Sequence, residues 1–180
     1  HLSLFSSIDN LGKDIDDLFH NVITTLENGK TILVCGNGGS AADSQHFASE
    51  LTGRFNKERL PLSSISLTTD SSAITCIGND YSYDHIFSRQ VEGVGKEGDL
   101  LILITTSGNS KNLLMAAKSA KNKKIKTFGL LGKGGGELVK YVDSSIVVPS
   151  NSTARVQETH IFILHLICEM IDEMYAGKNE

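Results

Sequence analysis

Two short segments combine small residues with hydroxyl groups in a pattern that is typical of anion binding. The first is Cys35-Gly36-Asn37-Gly38-Gly39-Ser40, where glycines let the backbone approach a ligand and Ser40 adds a hydroxyl at the start of a predicted helix. The second is Thr105-Thr106-Ser107-Gly108-Asn109-Ser110, which carries four hydroxyl groups in six residues. The first segment alone is equally well explained as a tight turn with a helix cap. Together the two favour a phosphate, whose three acceptor oxygens can use those donors.

The sequence disfavours nucleotides and nucleic acids as ligands. The first segment is not G-x-G-x-x-G, and neither segment contains the Gly-Lys-Ser/Thr of a Walker loop. The net charge is −4, and no basic block stands out on this acidic chain. Non-specific nucleic-acid binding needs many cations to neutralise phosphates. A phosphorylated small molecule is therefore the favoured ligand.

A second group of side chains could exchange protons or bind a metal. His46 and Glu50 are four residues apart on a predicted helix, so they project from one face. Gln157 and His165 lie about two turns apart on the last predicted helix. Two histidines and a glutamate form a common catalytic zinc set, with an amide as a weaker fourth ligand. A single histidine taken alone is more simply explained as a hydrogen-bonded, half-buried residue, and His160 is interpreted in that way.

The elements that position these residues alternate between helices and strands. Residues 8–26 are predicted to form an amphipathic helix, because apolar residues recur there every three or four positions. Further helices are predicted at residues 40–51, 84–94, 112–121, 137–141 and 154–175. Strands are predicted at residues 31–35, 64–67, 100–104, 125–130 and 145–148, and residues 134–136 are predicted to be a loop.

This alternation predicts the fold class. Strands that are apolar throughout are buried on both faces, and strands that alternate with helices form a parallel sheet between helical layers. We therefore predict one domain, an α/β/α sandwich with a mainly parallel five-stranded sheet and an extra N-terminal helix. Ligands of such sheets bind at the carboxyl ends of the strands. The two small-residue segments follow the first and third predicted strands, so position and composition agree.

Composition adds expectations about compartment and partners. Cys35, Cys76 and Cys168 are widely spaced without a C-x-x-C motif, which suits a reducing compartment. No apolar run approaches the roughly 18 residues that a membrane span requires. The sequence therefore predicts a cytoplasmic protein without a membrane or nucleic-acid partner.

The sequence resembles the SIS (sugar isomerase) domain family over nearly its whole length. Within that family it is most similar to the enzymes that isomerise a phosphorylated heptose. The segments that carry the resemblance occur in the family's order and at compatible spacing. They are residues 35–55, which begin with the first small-residue segment and include His46 and Glu50; Ile77-Gly78-Asn79-Asp80-Tyr81; residues 105–110; residues 154–160; and His165.

The resemblance implies a fold, a reaction and an assembly. The implied reaction is the aldose–ketose isomerisation of sedoheptulose 7-phosphate to D-glycero-D-manno-heptose 7-phosphate, which feeds bacterial heptose synthesis for lipopolysaccharide or capsule. The implied protein is a single SIS domain over residues 1–180 with one Zn²⁺ per subunit. It is expected to form a homotetramer with sites at subunit interfaces, and the N-terminal helix within residues 1–29 is expected to take part in packing.

The resemblance also assigns roles to the matching residues. The expected substrate contacts are Asn37, Gly38, Gly39, Ser40, Glu50, Arg54, Asn79, Asp80, Thr105, Thr106, Ser107, Ser110 and Gln157. The expected metal ligands are His46, Glu50, Gln157 and His165. Glu50 is the expected catalytic base and His165 the expected acid. A carboxylate fully committed to a metal is a poor base, so the two assignments of Glu50 conflict in part.

Two alternative functions stay open on the sequence. A non-catalytic SIS module would bind a phosphosugar and regulate a partner, but such relatives tend to lose the acid/base residues that this chain retains. An isomerase of arabinose 5-phosphate or of a hexosamine phosphate is usually longer than 180 residues. Ala154 stands where some relatives carry an aspartate directed at the sugar, and this difference leaves the details of substrate recognition open.

Overall fold

The computed structural model describes residues 8–175, with side chains described from residue 10 onward. A 3₁₀ turn at Ile8–Leu11 precedes the first helix. The helices are α1 (Gly12–Glu27), α2 (Gly39–Thr52), α3 (Ser71–Asp80), α4 (Ser88–Val94), α5 (Lys111–Asn122) and α6 (Thr153–Tyr175). The strands are β1 (Ile32–Gly36), β2 (Ser64–Ser66), β3 (Leu100–Thr105), β4 (Lys126–Leu131) and β5 (Ser144–Val147).

All five strands pair in parallel, in the order β2-β1-β3-β4-β5. Strand β2 lies on one side of β1, and β3 lies on the other side. The strand order therefore reverses between β1 and β3, which is the place where ligands of such sheets bind. Gly36 at the end of β1 pairs with Ile104 near the end of β3. The loops that follow these strands therefore lie side by side, and the prediction that the two small-residue segments share one edge of the sheet is confirmed.

Hydrophobic clusters cover both faces of the sheet. Successive strand residues point to opposite faces, and every residue of β1 and β3 is buried. On one face Ile32 and Val34 belong to a cluster with apolar residues of α1, α2 and α6. On the other face Leu33 and Leu101 pack with residues of α4 and α5. The predicted three layers are confirmed. None of the described helices combines the length and apolar character that a membrane crossing requires.

The segment between β2 and β3 differs from the prediction. The helix predicted over residues 84–94 is divided into a 3₁₀ turn at Tyr83–His85 and the short helix α4. Helix α3 was not predicted at all. Its apolar face consists of the buried Ile77 and the partly buried Ala73 and Ile74, which are too few residues to mark a helix of ten positions.

Smaller differences occur at other elements. Residues 137–141 were predicted to be helical and form only a 3₁₀ turn at Leu138–Lys140, and the predicted glycine loop contains a 3₁₀ turn at Lys133–Gly135. The N-terminal helix is confirmed as α1. Residues 1–7 of the predicted N-terminal segment lie outside the described residues.

Candidate active site

A cavity of about 300 Å³ lies where the loops after β1 and β3 meet. Nine of the predicted substrate-binding residues line it, together with two that were not predicted. The predicted ones are Asn37, Gly38, Gly39, Ser40, Thr105, Thr106, Ser107, Ser110 and Gln157; the other two are Ile104 and Thr153. Thr153 is a single hydroxyl outside the two small-residue segments, so no sequence signal identified it.

The cavity has the electrostatic character of an anion site. Three helices begin at or beside its wall: α2 at Gly39, α5 directly after Ser110, and α6 at Thr153. A helix N-terminus presents free N–H groups and about half a positive elementary charge. Within residues 8–175, no carboxylate side chain lines the cavity. A phosphate placed there meets hydroxyl and backbone donors without a like charge.

Internal hydrogen bonds give the second small-residue segment a defined shape. Thr105 Oγ1 accepts hydrogen bonds from the backbone N–H groups of Ser107 and Gly108, each at 3.3 Å. Ser107 Oγ accepts one from the backbone N–H of Asn109 at 3.2 Å. The hydroxyl groups of Thr105 and Ser107 therefore stabilise the turn that follows β3, and both residues also line the cavity.

We expect Gly108→Ala to lower the free energy of unfolding by more than about 2 kcal/mol. Gly108 has a φ of +67°, and a Cβ there would overlap the carbonyl oxygen of Gly135 in the neighbouring glycine loop. A left-handed φ costs a residue with a Cβ about 1–2 kcal/mol, and the overlap with backbone adds to this cost. Gly134→Ala is the matched control, because Gly134 has a φ of +75° but open space around its Cβ position. Equal losses for the two variants in urea unfolding would contradict this prediction.

His46, Glu50 and His165 form one connected group between α2 and α6. His46 Nε2 lies 3.0 Å from Glu50 Oε1 and 3.4 Å from His165 Nε2. The two imidazole rings meet edge to face with centroids 5.0 Å apart, and the Phe55 ring lies against His165. The side chain of His46 is 43% exposed and that of Glu50 is 22% exposed. The structure thus brings together the residues that helical spacing selected and leaves them accessible to a ligand.

The side chains of this group offer the donor atoms that zinc binds, and one of the distances between them suits a zinc site. Two imidazole nitrogens on one tetrahedral Zn²⁺ lie about 3.4 Å apart, which is the separation of the His46 and His165 Nε2 atoms. The described residues nevertheless contain no preformed cluster of three or more His, Cys, Asp or Glu donors around one point. Glu50 is instead hydrogen-bonded to His46, so ligation requires its carboxylate to turn. In this structure the three side chains form a hydrogen-bonded group, and their imidazole and carboxylate atoms are of the kinds that bind zinc.

Gln157 lines the same cavity, which is called the phosphate cavity below after the anion that its donors suit. A Cβ on Gly39 would overlap the Gln157 side-chain amide, so the missing side chain at Gly39 makes room for that amide. Gln157 lies on α6 about two turns before His165. Its predicted contact with substrate agrees with its place in the cavity wall, and its predicted role as a metal ligand stays a prediction.

Besides Glu50, three predicted substrate contacts lie outside the cavity wall. Arg54 Nε is 3.8 Å from Glu58 Oε2, and both side chains are exposed. Asn79 Nδ2 donates a hydrogen bond to Asp80 Oδ1 at 2.8 Å, at the exposed end of α3. None of the three lines the cavity, so their contacts with substrate stay predictions.

Buried titratable groups flank the site. Burial raises the pKa of Asp43, one helical turn before His46, to about 6, although the charge of His46 acts in the opposite direction. Burial lowers the pKa of His160 to about 4, and a hydrogen bond to the Leu131 carbonyl at 3.1 Å opposes that shift only partly. His160 is therefore a neutral, hydrogen-bonded core residue, as interpreted from the sequence. Burial also raises the pKa of the Cys35 thiol, which makes it an unreactive core group.

Comparisons with known proteins agree with this fold and site. The SIS domain profile matches residues 2–132. A phosphoheptose isomerase from Campylobacter concisus is 54% identical over 177 residues, which cover 98% of this chain and 94% of the relative. A solved phosphoheptose isomerase from Neisseria gonorrhoeae is 41% identical with a TM-score of 0.90, and covers 96% of this chain and 92% of that chain. A solved phosphoheptose isomerase from Francisella tularensis is 39% identical with a TM-score of 0.92 and the same coverage. The chain therefore belongs to the SIS-domain family, in its group of phosphoheptose isomerases.

Proposed function

We propose that this chain isomerises sedoheptulose 7-phosphate to D-glycero-D-manno-heptose 7-phosphate through an enediol, in bacterial heptose synthesis for lipopolysaccharide or capsule. The observation that carries the proposal is that the phosphate cavity and the acid/base group share two helices. Residues near the N-termini of α2 and α6 line the cavity, and His46, Glu50 and His165 follow on the same two helices.

The spacing along these helices suits a long sugar phosphate. On α2, His46 and Glu50 follow Ser40 by about 9 Å and 15 Å along the axis, and on α6 His165 follows Gln157 by about 12 Å. A phosphate held at the helix N-termini directs the rest of the substrate along both helices. Such an arrangement favours a substrate whose phosphate and carbonyl lie at opposite ends of the carbon chain.

The reaction moves a proton from C1 to C2 of the sugar. We assign Glu50 as the base that removes the C1 proton and returns it to C2, and His165 as the acid that donates a proton to O2 as the enediol forms. When the enediol collapses to the aldose, the O1 proton passes to His165, which regains the proton that it gave to O2. His46 contacts both residues and so orients them. The phosphate contacts hold C1 and C2 in place beside them.

The same group is proposed to hold one Zn²⁺ per subunit. His46, Glu50 and His165 would be its ligands, with Gln157 as a weaker fourth. When bound, the ion would polarise the carbonyl oxygen of the substrate. The base role of Glu50 and the acid role of His165 then require a state in which neither side chain is fully committed to the metal.

Zinc content tests this proposal separately from turnover. Protein purified without chelators is expected to contain about one zinc per chain, and His46→Asn and His165→Asn are expected to contain less than one tenth of that, because each removes an imidazole ligand. Mass spectrometry of the metal and the thermal shift on adding zinc give the readouts. His20→Asn, an exposed histidine of α1, is the control and should keep the wild-type content. Unchanged zinc in both ligand variants, or full activity of metal-free protein, would contradict the zinc proposal.

We further propose a cytoplasmic homotetramer whose sites lie at subunit interfaces, with residues 1–29 in the packing. Arg54, Asn79 and Asp80 lie outside the cavity wall of the single chain, which supports a site completed by a neighbouring subunit. The three cysteines are free, which suits a reducing compartment. Light scattering should give a mass of about 78 kDa, four times 19.4 kDa. A mass of one chain would contradict the assembly.

A panel of phosphorylated ketoses tests the proposed reaction against its alternatives. We expect kcat/KM for sedoheptulose 7-phosphate to exceed that for ribulose 5-phosphate and fructose 6-phosphate by at least about 100-fold, or about 2.7 kcal/mol of transition-state binding. Preferred turnover of either shorter ketose would favour an isomerase of another phosphosugar. Binding without turnover of any ketose would favour a non-catalytic regulator.

A further inference from the structure

The side-chain amide of Asn37 is held by two residues that do not line the phosphate cavity. Asn112 Nδ2 donates a hydrogen bond to Asn37 Oδ1 at 2.9 Å, and Asn37 Nδ2 donates one to Asn112 Oδ1 at 3.0 Å. The Tyr83 hydroxyl donates to the same Asn37 oxygen at 2.8 Å. An amide oxygen has two lone pairs, so the Asn37 oxygen is fully used by these two donors.

The pair of amides joins the two small-residue segments that line the phosphate cavity, which are called the first and second phosphate segments here. Asn37 follows β1, whereas Asn112 is the second residue of α5, directly after the second segment, and 75 positions separate them. Asn112 is 2% exposed, and leaving a buried amide without its hydrogen-bond partner is unfavourable. This cost opposes any separation of the two amides. The pair therefore fixes the distance between two segments that must contact one phosphate together.

The Tyr83 hydroxyl connects a third segment to this pair. Tyr83 begins the 3₁₀ turn that follows α3, and α3 ends with Asn79 and Asp80, which are predicted to contact the sugar. The Tyr83 residue is 59% exposed, so burial of its ring contributes little to its position. The hydroxyl bond ties this turn to Asn37 in the first segment, whereas the buried Ile86 and Phe87 anchor the residues that follow the turn.

We propose that Asn112 and Tyr83 are positioning residues that act through Asn37. Asn112 sets the separation of the two phosphate segments, and Tyr83 sets the position of the Asn79–Asp80 segment relative to them. The kinetic consequence rests on the proposed isomerase function, whereas the consequence for phosphate binding does not.

A double-mutant cycle on Asn37→Ala and Asn112→Ala tests the role of Asn112. We expect Asn112→Ala to raise the Kd of inorganic phosphate, measured by calorimetry, and the KM for sedoheptulose 7-phosphate about tenfold, equal to about 1.4 kcal/mol. The kcat should change less than about threefold, because the acid/base group is untouched. In the Asn37→Ala background the same substitution should change the Kd less than about twofold, because its partner is already gone.

Tyr83→Phe tests the second half of the proposal and removes only an exposed hydroxyl. We expect it to raise the KM for sedoheptulose 7-phosphate about threefold, or about 0.6 kcal/mol, and to leave the phosphate Kd unchanged. Ser119→Ala is the matched control on α5, because Ser119 is buried and its hydroxyl donates to Glu92 Oε1 at 2.7 Å. It should lower the urea midpoint without changing the phosphate Kd.

The outcomes separate this proposal from the proposed function. A folded Asn112 variant with a phosphate Kd within twofold of wild type, or fully additive effects in the cycle, would overturn the role of Asn112. Asn112→Ser is measured alongside and decides the question if the alanine variant does not fold. An unchanged KM in Tyr83→Phe would overturn the role of Tyr83. Absence of phosphate binding to the wild-type chain would overturn both, whereas phosphate binding without isomerisation would overturn only the proposed function.

Discussion

Replacing Glu50 with glutamine is expected to reduce kcat for sedoheptulose 7-phosphate by a factor of about 10²–10⁴, the usual contribution of a general base. Glutamine keeps the size of the side chain and can still hydrogen-bond to His46 Nε2, which lies 3.0 Å from Glu50 Oε1. It cannot accept the C1 proton. The phosphate cavity lies at the other end of α2, so the affinity for inorganic phosphate is expected to stay within about twofold of wild type.

The measurement is steady-state turnover together with phosphate affinity by calorimetry. Glu97→Gln is the matched control, because the Glu97 side chain is 69% exposed and paired only with Lys124 among its described contacts. That substitution should leave both quantities unchanged. Turnover of Glu50→Gln close to that of wild type would remove Glu50 as the base.

Removing the Asp172 carboxylate is expected to lower the free energy of unfolding by about 3–5 kcal/mol, because it leaves the Arg59 charge buried without its partner. The two side chains are only 1% and 2% exposed, and Arg59 Nε donates to Asp172 Oδ1 at 2.9 Å. Asp172 Oδ2 also accepts from the backbone N–H groups of Asn56 and Lys57 at 2.7 and 2.8 Å. Asp172→Ala therefore breaks a whole buried network.

The same ion pair joins the two helices of the active site. Arg59 donates to the carbonyl oxygens of Glu50 and Leu51 near the end of α2, whereas Asp172 lies on α6 beyond His165. Loss of the network should therefore reduce turnover as well as stability, because it frees the helix that carries Glu50 from the helix that carries His165.

Urea unfolding measures the cost, and a neighbouring ion pair supplies the control. Lys57 Nζ contacts Glu173 Oε1, but these side chains are 43% and 72% exposed, so Glu173→Ala should cost less than about 1 kcal/mol. A loss of less than about 1 kcal/mol for Asp172→Ala would contradict the structural role assigned to the buried pair.

The pH dependence of stability gives a second readout of Asp172. Burial acts to raise its pKa, but hydrogen bonds from Lys57, Asn56 and Arg59 outweigh that effect and hold the pKa below its usual range. A carboxylate with a lowered pKa in the folded state stabilises the fold above its unfolded pKa of about 3.9, and this contribution is lost as the pH falls through the folded pKa. Asp172→Asn should therefore flatten the loss of stability below about pH 4.

Local patterns were sufficient to predict the sheet and the two small-residue segments that form most of the cavity wall. The β1 and β3 strands are almost entirely apolar because they are buried on both faces, and each leads into a segment rich in glycine or hydroxyl residues. The pairing of His46 with Glu50 was predictable because both lie on one helix. These signals depend only on neighbours in the sequence, which is why they were readable without a structure.

Contacts between distant segments were not predictable in this way. The Arg59–Asp172 pair spans 113 positions and the Asn37–Asn112 pair spans 75, and neither has a local pattern. Helix α3 was missed because its apolar face consists only of Ala73, Ile74 and Ile77, which is a weak periodic signal. Thr153 was missed because a single hydroxyl at the start of α6 is also a common helix cap.

Proton NMR of sedoheptulose 7-phosphate in D₂O with the purified wild-type chain tests the central claim most directly. An enediol mechanism with Glu50 as the base predicts that an aldoheptose 7-phosphate appears and that part of it carries deuterium at C2, because the proton held by the carboxylate exchanges with solvent. The Glu50→Gln variant should give neither detectable product nor exchange in the time that the wild-type chain needs to reach equilibrium. If the wild-type chain, loaded with zinc, binds the ketose and forms no aldose, the proposed isomerase function is wrong.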